Sequence, residues 1–369
     1  MRFALFYEIP VPRPWDEDSE RRAYQEVLEQ AVLADKMGFD SVWTVEHHFL
    51  EEYSHCSNPE VLYGAIAART ENIRIGYGVR LAPKPYNHPV RSAESAATLD
   101  VISGGRVEYG TGRSNSRAEL EGFGIDPNET RAMWAEAVEH TAGCWMNDEY
   151  SFEGDYWSMP RRRVIPKPVQ QPCPPMWAAA GSDETHRIAG SMGMGLLSFS
   201  VFVPMPDLEA KINIYRNAIA GCTDPVGGRI NNRVASFTMA HCAPTADEAC
   251  EVGRQSFEWY PVAALQLSAS MPAWQADRSL DFNDFQYLSA VTDVLDSGMV
   301  QEAMNLEGLV EMGTALIGDP DQVVRLARGY EEIGTDLLLC AVQPYNIPHD
   351  KVMASIELLG RHVLPAFDH

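Results

Sequence analysis

The sequence predicts an α/β protein folded as a (β/α)8 TIM barrel, with an insertion before the last strand. Short β-rich segments alternate with helical segments until eight strands have been counted along 369 residues. A chain of this length, 45% hydrophobic and 22% charged, is large enough to bury roughly three quarters of its unfolded surface. The competing doubly wound sheet is disfavoured because the first strand is not followed by G-x-G-x-x-G. The nearest segment, Gly110-Thr111-Gly112, lacks the third glycine.

Eight runs of apolar and β-branched residues define the predicted strands. They lie at residues 2–8, 39–45, 73–79, 107–112, 176–180, 196–201, 233–242 and 337–341. Between them, helical periodicity and end signals predict the helices. These lie at about 24–37, 89–102, 131–145, 183–192, 208–220, 246–259 and 350–362, with one more between the second and third strands. Gly38 ends the first helix, and Pro89 suits the first position of another.

One stretch, residues 260–312, interrupts this alternation. It is rich in Met, Ser, Asp and aromatic residues and has no clean period. We therefore predict a single domain over residues 1–369, with residues 260–312 as an insertion within it.

Charge and cysteine content restrict the partners and the setting. Acidic residues outnumber basic ones by 52 to 29, giving a net charge of −23, which disfavours nucleic acid and anionic membranes as partners. The seven cysteines contain no C-x-x-C pair, so neither a disulfide framework nor a zinc knuckle is predicted. With no signal peptide pattern and no apolar run of about 18 residues, a cytoplasmic protein is expected.

Candidate functional residues follow the strand ends, because a barrel builds its active site there. The second strand leads into Glu46-His47-His48-Phe49, where a histidine could act as a base or hydrogen-bond donor. Loop histidines satisfied by the backbone are the alternative. A metal site is disfavoured, since adjacent histidines point in different directions and no H-E-x-x-H spacing is present.

Two further strand ends offer groups for an anion. Arg113 follows Gly110-Thr111-Gly112 and could bind phosphate, although a tight turn with a surface arginine is equally compatible. Ser182 could cap a helix whose N-terminus offers N–H groups to an anion. Asp183 and Glu184 favour simple capping, because they would repel a phosphate unless a cation offsets them.

Motifs of several other enzyme classes are missing. No G-x-S-x-G elbow and no suitably placed cysteine with a partner histidine is found, which disfavours covalent hydrolysis. The phosphate loop G-x-x-x-x-G-K-[ST] of kinases and ATPases is also absent.

Taken together, the motifs resemble those of the bacterial luciferase-like flavin monooxygenases. The matching segments occur in the family's order over nearly the whole chain: Gly38 to Trp43, Glu46 to Phe49, Asn58-Pro59, His88 to Arg91, Ser103 to Val107, Gly110 to Arg113, Phe123-Gly124, and Pro174-Pro175 before Ala178 to Ser182. The E-H-H-F and S-G-G-R-V stretches are the most specific of them.

The resemblance implies a barrel that binds reduced FMN, with the phosphate between the fourth and fifth strand ends. His47 matches the family's catalytic histidine. The cofactor-binding residues that it implies are Gly78, Val79, Arg113, Gly181, Ser182, Thr185 and Ser198. Gly78 and Val79 match a pair joined by a cis peptide bond in relatives, and Gly181 stands where luciferase has a glutamate. The insertion resembles the family's mobile loop, which as a lid would exclude water.

The same resemblance implies a two-component FMN-dependent monooxygenase. A separate NAD(P)H-dependent reductase would supply reduced flavin, O2 would form a flavin hydroperoxide, and a small organic substrate would receive one oxygen atom. Relatives commonly form homodimers. Gly112 stands where luciferase has its reactive cysteine, so the resemblance does not extend to light emission. The alternatives are a deazaflavin-dependent dehydrogenase or reductase of the same superfamily, and a non-catalytic flavin-binding protein.

Overall fold

The fold is a closed ring of eight parallel strands surrounded by helices, as predicted. The computed structural model describes residues 1–201, 203–278, 285, 288 and 304–367. The ring strands are β1 (Arg2–Tyr7), β2 (Ser41–Thr44), β3 (Arg74–Tyr77), β5 (Val107–Gly112), β8 (Met176–Ala180), β9 (Gly195–Ser198), β10 (Val234–Cys242) and β12 (Leu337–Ala341).

The strand register shows how the ring closes. Leu5 of β1 lies opposite Val42 of β2 on one side and Cys340 of β12 on the other. Strand β10 pairs with both β9 and β12, which completes the circle. Nearly all residues of the ring strands are buried, as expected for parallel strands covered by helices on their outer face.

In the described part of the chain, four short strands lie outside the ring. Strand β4 (Arg80–Leu81) pairs with β5, and β11 (Ala315–Gly318) pairs with the end of β10. Strands β6 (Tyr150–Glu153) and β7 (Ser158–Arg162) form an antiparallel pair.

Eleven α-helices are found in the described part of the chain. They are α1 (Ser19–Met37), α2 (Pro59–Arg69), α3 (Pro89–Ser103), α4 (Arg117–Gly122), α5 (Thr130–Met146), α6 (Asp183–Ser191), α7 (Met205–Ala220), α8 (Ala246–Arg278), α9 (Leu306–Glu311), α10 (Pro320–Glu332) and α11 (His349–Leu358). Gly38 adopts a left-handed conformation directly after α1, and Pro89 begins α3, as the sequence predicts. None of the described helices is long and apolar enough to span a membrane.

Two tryptophans fill the interior of the barrel. The rings of Trp43 and Trp177 meet edge to face with centroids 5.6 Å apart, and both side chains are fully buried. A Cβ atom on Gly76 would lie 2.0 Å from the ring of Trp43. Glycine at this position therefore makes room for the large ring.

The prediction for the last third of the chain was partly wrong. The helix expected to end at Trp259 continues to Arg278 as α8 and contains Pro261 and Pro272. Proline costs a helix a hydrogen bond, but Tyr260, Ala264 and Leu265 are buried in the core, and that packing stabilises the helix. The rest of the predicted insertion up to Met304 lies outside the described residues, apart from Phe285 and Leu288.

The sequence analysis also missed elements after the insertion. Strand β11 has only four residues, and α10 follows it directly. These two elements form an additional β-α unit beside the ring strand β10.

Candidate active site

A cavity of about 360 Å³ opens at the carboxyl ends of the barrel strands. Its walls come from the ends of β1, β2, β3, β5 and β8, together with helix α8. This is the end of a (β/α)8 barrel that carries the active site in characterised enzymes. Six of the predicted residues line it: His47, Gly78, Val79, Arg113, Gly181 and Thr185.

His47 lies between two buried carboxylates. Its Nδ1 is 2.9 Å from Oε1 of Glu119, and its Nε2 is 3.5 Å from Oε2 of Glu8. Burial alone would lower the pKa of His47, but the charge and hydrogen bond of Glu119 and the charge of Glu8 outweigh it and raise the pKa to about 9. The imidazole is therefore a cation with two N–H donors at neutral pH.

Glu8 follows strand β1 and is 5% exposed. Its Oε1 accepts hydrogen bonds from the hydroxyls of Tyr260 at 2.8 Å and Tyr53 at 3.3 Å. Burial raises the pKa of this carboxyl, while His47 and the two hydroxyls act in the opposite direction. The residue thus joins β1, the loop after β2 and helix α8 in one polar cluster.

Glu119, on helix α4, holds the other side of the histidine. Its Oε2 accepts hydrogen bonds from the hydroxyls of Ser114 and Ser116, at 2.6 and 2.7 Å, and its Oε1 accepts one from the backbone N–H of His48. Burial opposes ionisation of Glu119, but His47 and these hydroxyls outweigh it and lower its pKa. Glu119 is therefore a carboxylate that fixes the orientation of the imidazole.

The opposite part of the cavity carries two arginines. Arg113, directly after β5, donates to the hydroxyl of Thr130 at 3.0 Å and lies over the ring of Phe285 at 5.0 Å. Arg131 also lines the cavity. Two guanidinium groups on one wall suit a phosphate or a carboxylate.

The beginning of helix α6 borders this cationic part. The Ser182 hydroxyl accepts a hydrogen bond from the backbone N–H of Thr185, and the Thr185 hydroxyl accepts one from that of Ser182, forming a capping box. Ser182 itself does not line the cavity, whereas Thr185 does. In this structure the capping interpretation of Ser182 is confirmed.

Cations offset both acidic residues at this helix end. Asp183 is 2.7 Å from Nζ of Lys211, and Glu184 is 2.6 Å from Arg187 and 3.5 Å from Arg131. The repulsion that the sequence predicts between these carboxylates and a phosphate is therefore reduced.

Glycines and a cis peptide bond shape the wall between the histidine and the arginines. The bond between Gly78 and Val79 is cis, as expected. A Cβ atom on Gly112 would lie 2.5 Å from Cγ2 of Val79, and one on Gly78 would lie 2.9 Å from the ring of Phe6. Glycine at these two positions therefore allows Val79 and Phe6 to pack closely within the wall.

Ser198 is the other predicted residue that does not line the cavity. It is 2% exposed, and its hydroxyl is 3.0 Å from Nε2 of His186. The Nδ1 of the same ring is 2.8 Å from the carbonyl of Ser182. Ser198 and Ser182 thus lie behind the wall, joined through one buried histidine.

The sequence analysis missed Glu8, Tyr53 and Glu119, and it gave Tyr260 only as part of the insertion, without its contact with Glu8. Glu8 is the last residue of a predicted strand, so the rule that directs attention to strand ends could have found it. Glu119 and Tyr260 lie on helices, and no local pattern shows that these helices bring them to His47.

Comparison with known proteins shows which family the chain is similar to. The family described as luciferase-like monooxygenase matches residues 1–337. The chain is 32% identical over 370 residues to the oxygenase component of the flavin-dependent trigonelline monooxygenase of Acinetobacter baylyi, covering 100% of this chain and 96% of that one.

Two other proteins show the range of similarity. The crystal structure of monooxygenase RslO1 from Streptomyces bottropensis superposes with a TM-score of 0.80 at 25% identity, covering 100% of both chains. An F420-dependent glucose-6-phosphate dehydrogenase of Amycolatopsis mediterranei is 31% identical over 188 residues, which cover 49% of this chain and 55% of that one.

Proposed function

Since the chain belongs to the luciferase-like monooxygenase family, we propose that it is the oxygenase component of a two-component, FMN-dependent monooxygenase. In this proposal a separate NAD(P)H-dependent flavin reductase supplies reduced FMN. The enzyme then uses O2 to oxygenate a small organic substrate. Similarity to a protein named as an oxygenase component supports the division into two components.

One observation carries the proposal: a single cavity is lined by two arginines, by Gly78 and Val79, and by a charged histidine. Arg113, Arg131 and Thr185 would hold the flavin phosphate. Gly78 and Val79, which line the cavity, would lie against the flavin ring. The residues present therefore fit FMN. When bound, reduced flavin supplies the electrons that activate O2, chemistry that side chains do not provide.

His47 would act as a proton donor. Its Nδ1–H is held by Glu119, and its Nε2–H points towards Glu8 across 3.5 Å. Because the ring already carries both protons at neutral pH, it is suited to donating a proton or hydrogen bond to a reacting oxygen atom.

The remaining wall is mainly apolar and would keep water away from the reacting atoms. Helix α8 contributes Ala264 and Leu267, and β1 and the loop after β2 contribute Phe6 and Leu50. Exclusion of water strengthens the electrostatic interactions and suppresses side reactions. The proposed lid over residues 260–312 thus begins with a helix that already faces the cavity.

The decisive experiment is an anaerobic titration of the protein with reduced FMN and, in parallel, with reduced deazaflavin, followed by mixing with O2. We expect FMN to bind and an absorbance transient to appear on mixing. With a suitable substrate, one atom of isotopically labelled O2 should enter the product.

The other outcomes distinguish the alternatives. Tight deazaflavin binding with no oxygen-dependent transient would identify a hydride-transferring dehydrogenase. The similar protein named as an F420-dependent dehydrogenase is an example of this class. FMN binding without O2 consumption in the presence of any candidate substrate would identify a flavin-binding protein without turnover.

A homodimer and a cytoplasmic location remain predictions. Exposed apolar residues on the neighbouring helices α2 and α3, namely Val61, Val101 and Ile102, would suit an interface. Light scattering on the purified protein measures its mass directly. A mass of 41.0 kDa, which is that of one chain, would contradict the dimer.

A further inference from the structure

Glu8 has one carboxylate oxygen without a hydrogen bond. Its Oε1 is occupied by Tyr53 and Tyr260, whereas Oε2 accepts no hydrogen bond from any described residue. The side chain is 95% buried and lines the cavity. The nearest cation, Nε2 of His47, is 3.5 Å away, which is longer than a normal charge-assisted hydrogen bond. A buried carboxylate oxygen in this condition is costly unless another donor reaches it.

The charges around His47 do not cancel. Burial raises the pKa of Glu8 overall, although His47 and the two hydroxyls partly offset this effect. With Glu8 ionised, Glu8 and Glu119 contribute two negative charges, and His47 contributes one positive charge. Glu46 is the next acidic residue on this wall. It accepts hydrogen bonds from the backbone N–H of Leu81 and the side chain of Asn87. It also lies 3.8 Å from Arg80, which pairs with Glu60 as well. This part of the cavity therefore carries an excess negative charge, while the arginines Arg113 and Arg131 are those proposed for the flavin phosphate.

The apolar and aromatic walls beside Glu8 strengthen the interaction of that charge with a bound molecule. Phe6, Leu50 and Tyr53 line the same cavity and are at most 8% exposed. In such apolar surroundings charges interact more strongly than in water, and aromatic faces attract cations. An anionic head group here would meet an uncompensated carboxylate and would be repelled.

We propose that Glu8 is the specificity-determining residue of the substrate site and binds the positively charged nitrogen of a protonated organic base. The N–H of the bound cation would donate to Oε2, which satisfies the free oxygen and neutralises the excess charge. The inference deepens the proposed function by naming a substrate class for the same cavity.

Binding of four small probes of similar shape tests this assignment without requiring turnover. The probes are benzylammonium, benzyltrimethylammonium, benzyl alcohol and phenylacetate, each titrated calorimetrically into the full-length protein at neutral pH, with and without FMN. We expect benzylammonium to bind about tenfold or more tightly than benzyl alcohol, and phenylacetate to bind weakest. The quaternary cation should fall between benzylammonium and the alcohol, because it carries the charge but no N–H.

Three variants show whether Glu8 is responsible. Glu8→Gln keeps the size of the side chain and should reduce the preference for benzylammonium over the alcohol to about threefold or less. Glu8→Asp keeps the charge and should retain most of the preference for benzylammonium. Glu51→Gln removes one negative charge from the exposed loop after β2 and should leave the affinities for all four probes unchanged. Folding of each variant is checked by circular dichroism.

The assignment is overturned if benzyl alcohol or phenylacetate binds the natural protein as tightly as benzylammonium. It is also overturned if Glu8→Gln keeps the preference, or if no probe binds at concentrations up to about 10 mM. An anaerobic absorbance titration with reduced FMN measures flavin binding separately. Failure of the probes with intact FMN binding would count against Glu8 alone, whereas loss of FMN binding by the natural protein would count against the proposed function.

Discussion

His47 is the residue on which the proposed chemistry depends. Replacing it by Asn removes the charged N–H donor and keeps a similar volume, so turnover should fall by about 10²–10⁴-fold while FMN still binds. Oxygen consumption measures turnover, and an anaerobic absorbance titration with reduced FMN measures binding. His362→Asn, at an exposed position after helix α11, is the matched control and should retain full activity. An active His47→Asn variant would remove His47 from the mechanism.

The ion pairs of His47 also predict how stability depends on pH. The pKa of His47 is about 9 in the folded protein and near its ordinary value of about 6.5 in the unfolded chain. A raised pKa stabilises the fold fully below about pH 6.5, and this contribution is lost as the pH rises through 9. The contribution is on the order of 3 kcal/mol.

Urea unfolding of the natural protein and of His47→Gln at pH 6, 7.5 and 9.5 measures this contribution. Because groups away from His47 titrate equally in both proteins, the informative quantity is the difference between the free energies of unfolding of the two proteins. We expect that difference to shrink steadily towards high pH. A difference that stays constant would contradict the pairing of a charged His47 with Glu8 and Glu119.

Residue types near the strand ends could be predicted as functional, but their partners could not. His47, Arg113 and Thr185 were identified from motifs and from the resemblance, and all three line the cavity. Glu119 is 72 residues from His47, and Tyr260 is 252 residues from Glu8. Contacts at such separations depend on how helices α4 and α8 pack, which local patterns do not encode.

At the scale of elements, the end of helix α6 allows two roles of Ser182 to be separated. Ser182→Ala should lower the free energy of unfolding by about 1 kcal/mol, because the helix loses its N-terminal cap. Ser191→Ala, at the exposed end of the same helix, should change it by less than about 0.5 kcal/mol. If Ser182 only caps the helix, FMN affinity should stay within about threefold of the natural value; a larger loss would show a direct contact with the flavin.

The strands and helices differ in how they tolerate a methyl group on glycine. Gly76→Ala should destabilise the protein by about 3 kcal/mol, since the new Cβ would meet the buried ring of Trp43. Gly64, in helix α2, has no atom within 4 Å of such a Cβ, and Gly64→Ala should stabilise by about 0.5–1 kcal/mol. Thermal or urea unfolding of both variants checks the contrast, and equal effects at the two positions would be inconsistent with the barrel packing.

The eight ring strands were predictable because each is a short apolar run, and Val107–Gly112, Met176–Ala180 and Leu337–Ala341 match their predicted bounds. Helix α8 was predicted too short because Pro261, two residues after Trp259, suggests a helix end. Burial of Tyr260 and Leu265 overrides that local signal.

At the scale of the whole molecule, the net charge of −23 predicts a salt-dependent stability. Mutual repulsion of the excess carboxylates destabilises the compact state, and salt screens it over about 10 Å at 0.1 M. The melting temperature should therefore rise by a few degrees between very low salt and about 0.15 M sodium chloride. An equal concentration of an uncharged osmolyte is the control, and a melting temperature that falls with salt would contradict this expectation.

Strand β10 pairs with three different strands along its length. Residues 234–239 pair with the ring strands β9 and β12, while residues 239–242 pair with β11 outside the ring. Helix α8 and helix α9 both pack against β11, so the chain on either side of residues 279–303 is anchored to the same strand. Lengthening a connection between two anchored ends costs little free energy. Over evolutionary time, insertions and deletions between these anchors can be tolerated while every hydrogen bond of the ring is retained. Proteins that share this barrel can therefore diverge in the molecules that they bind.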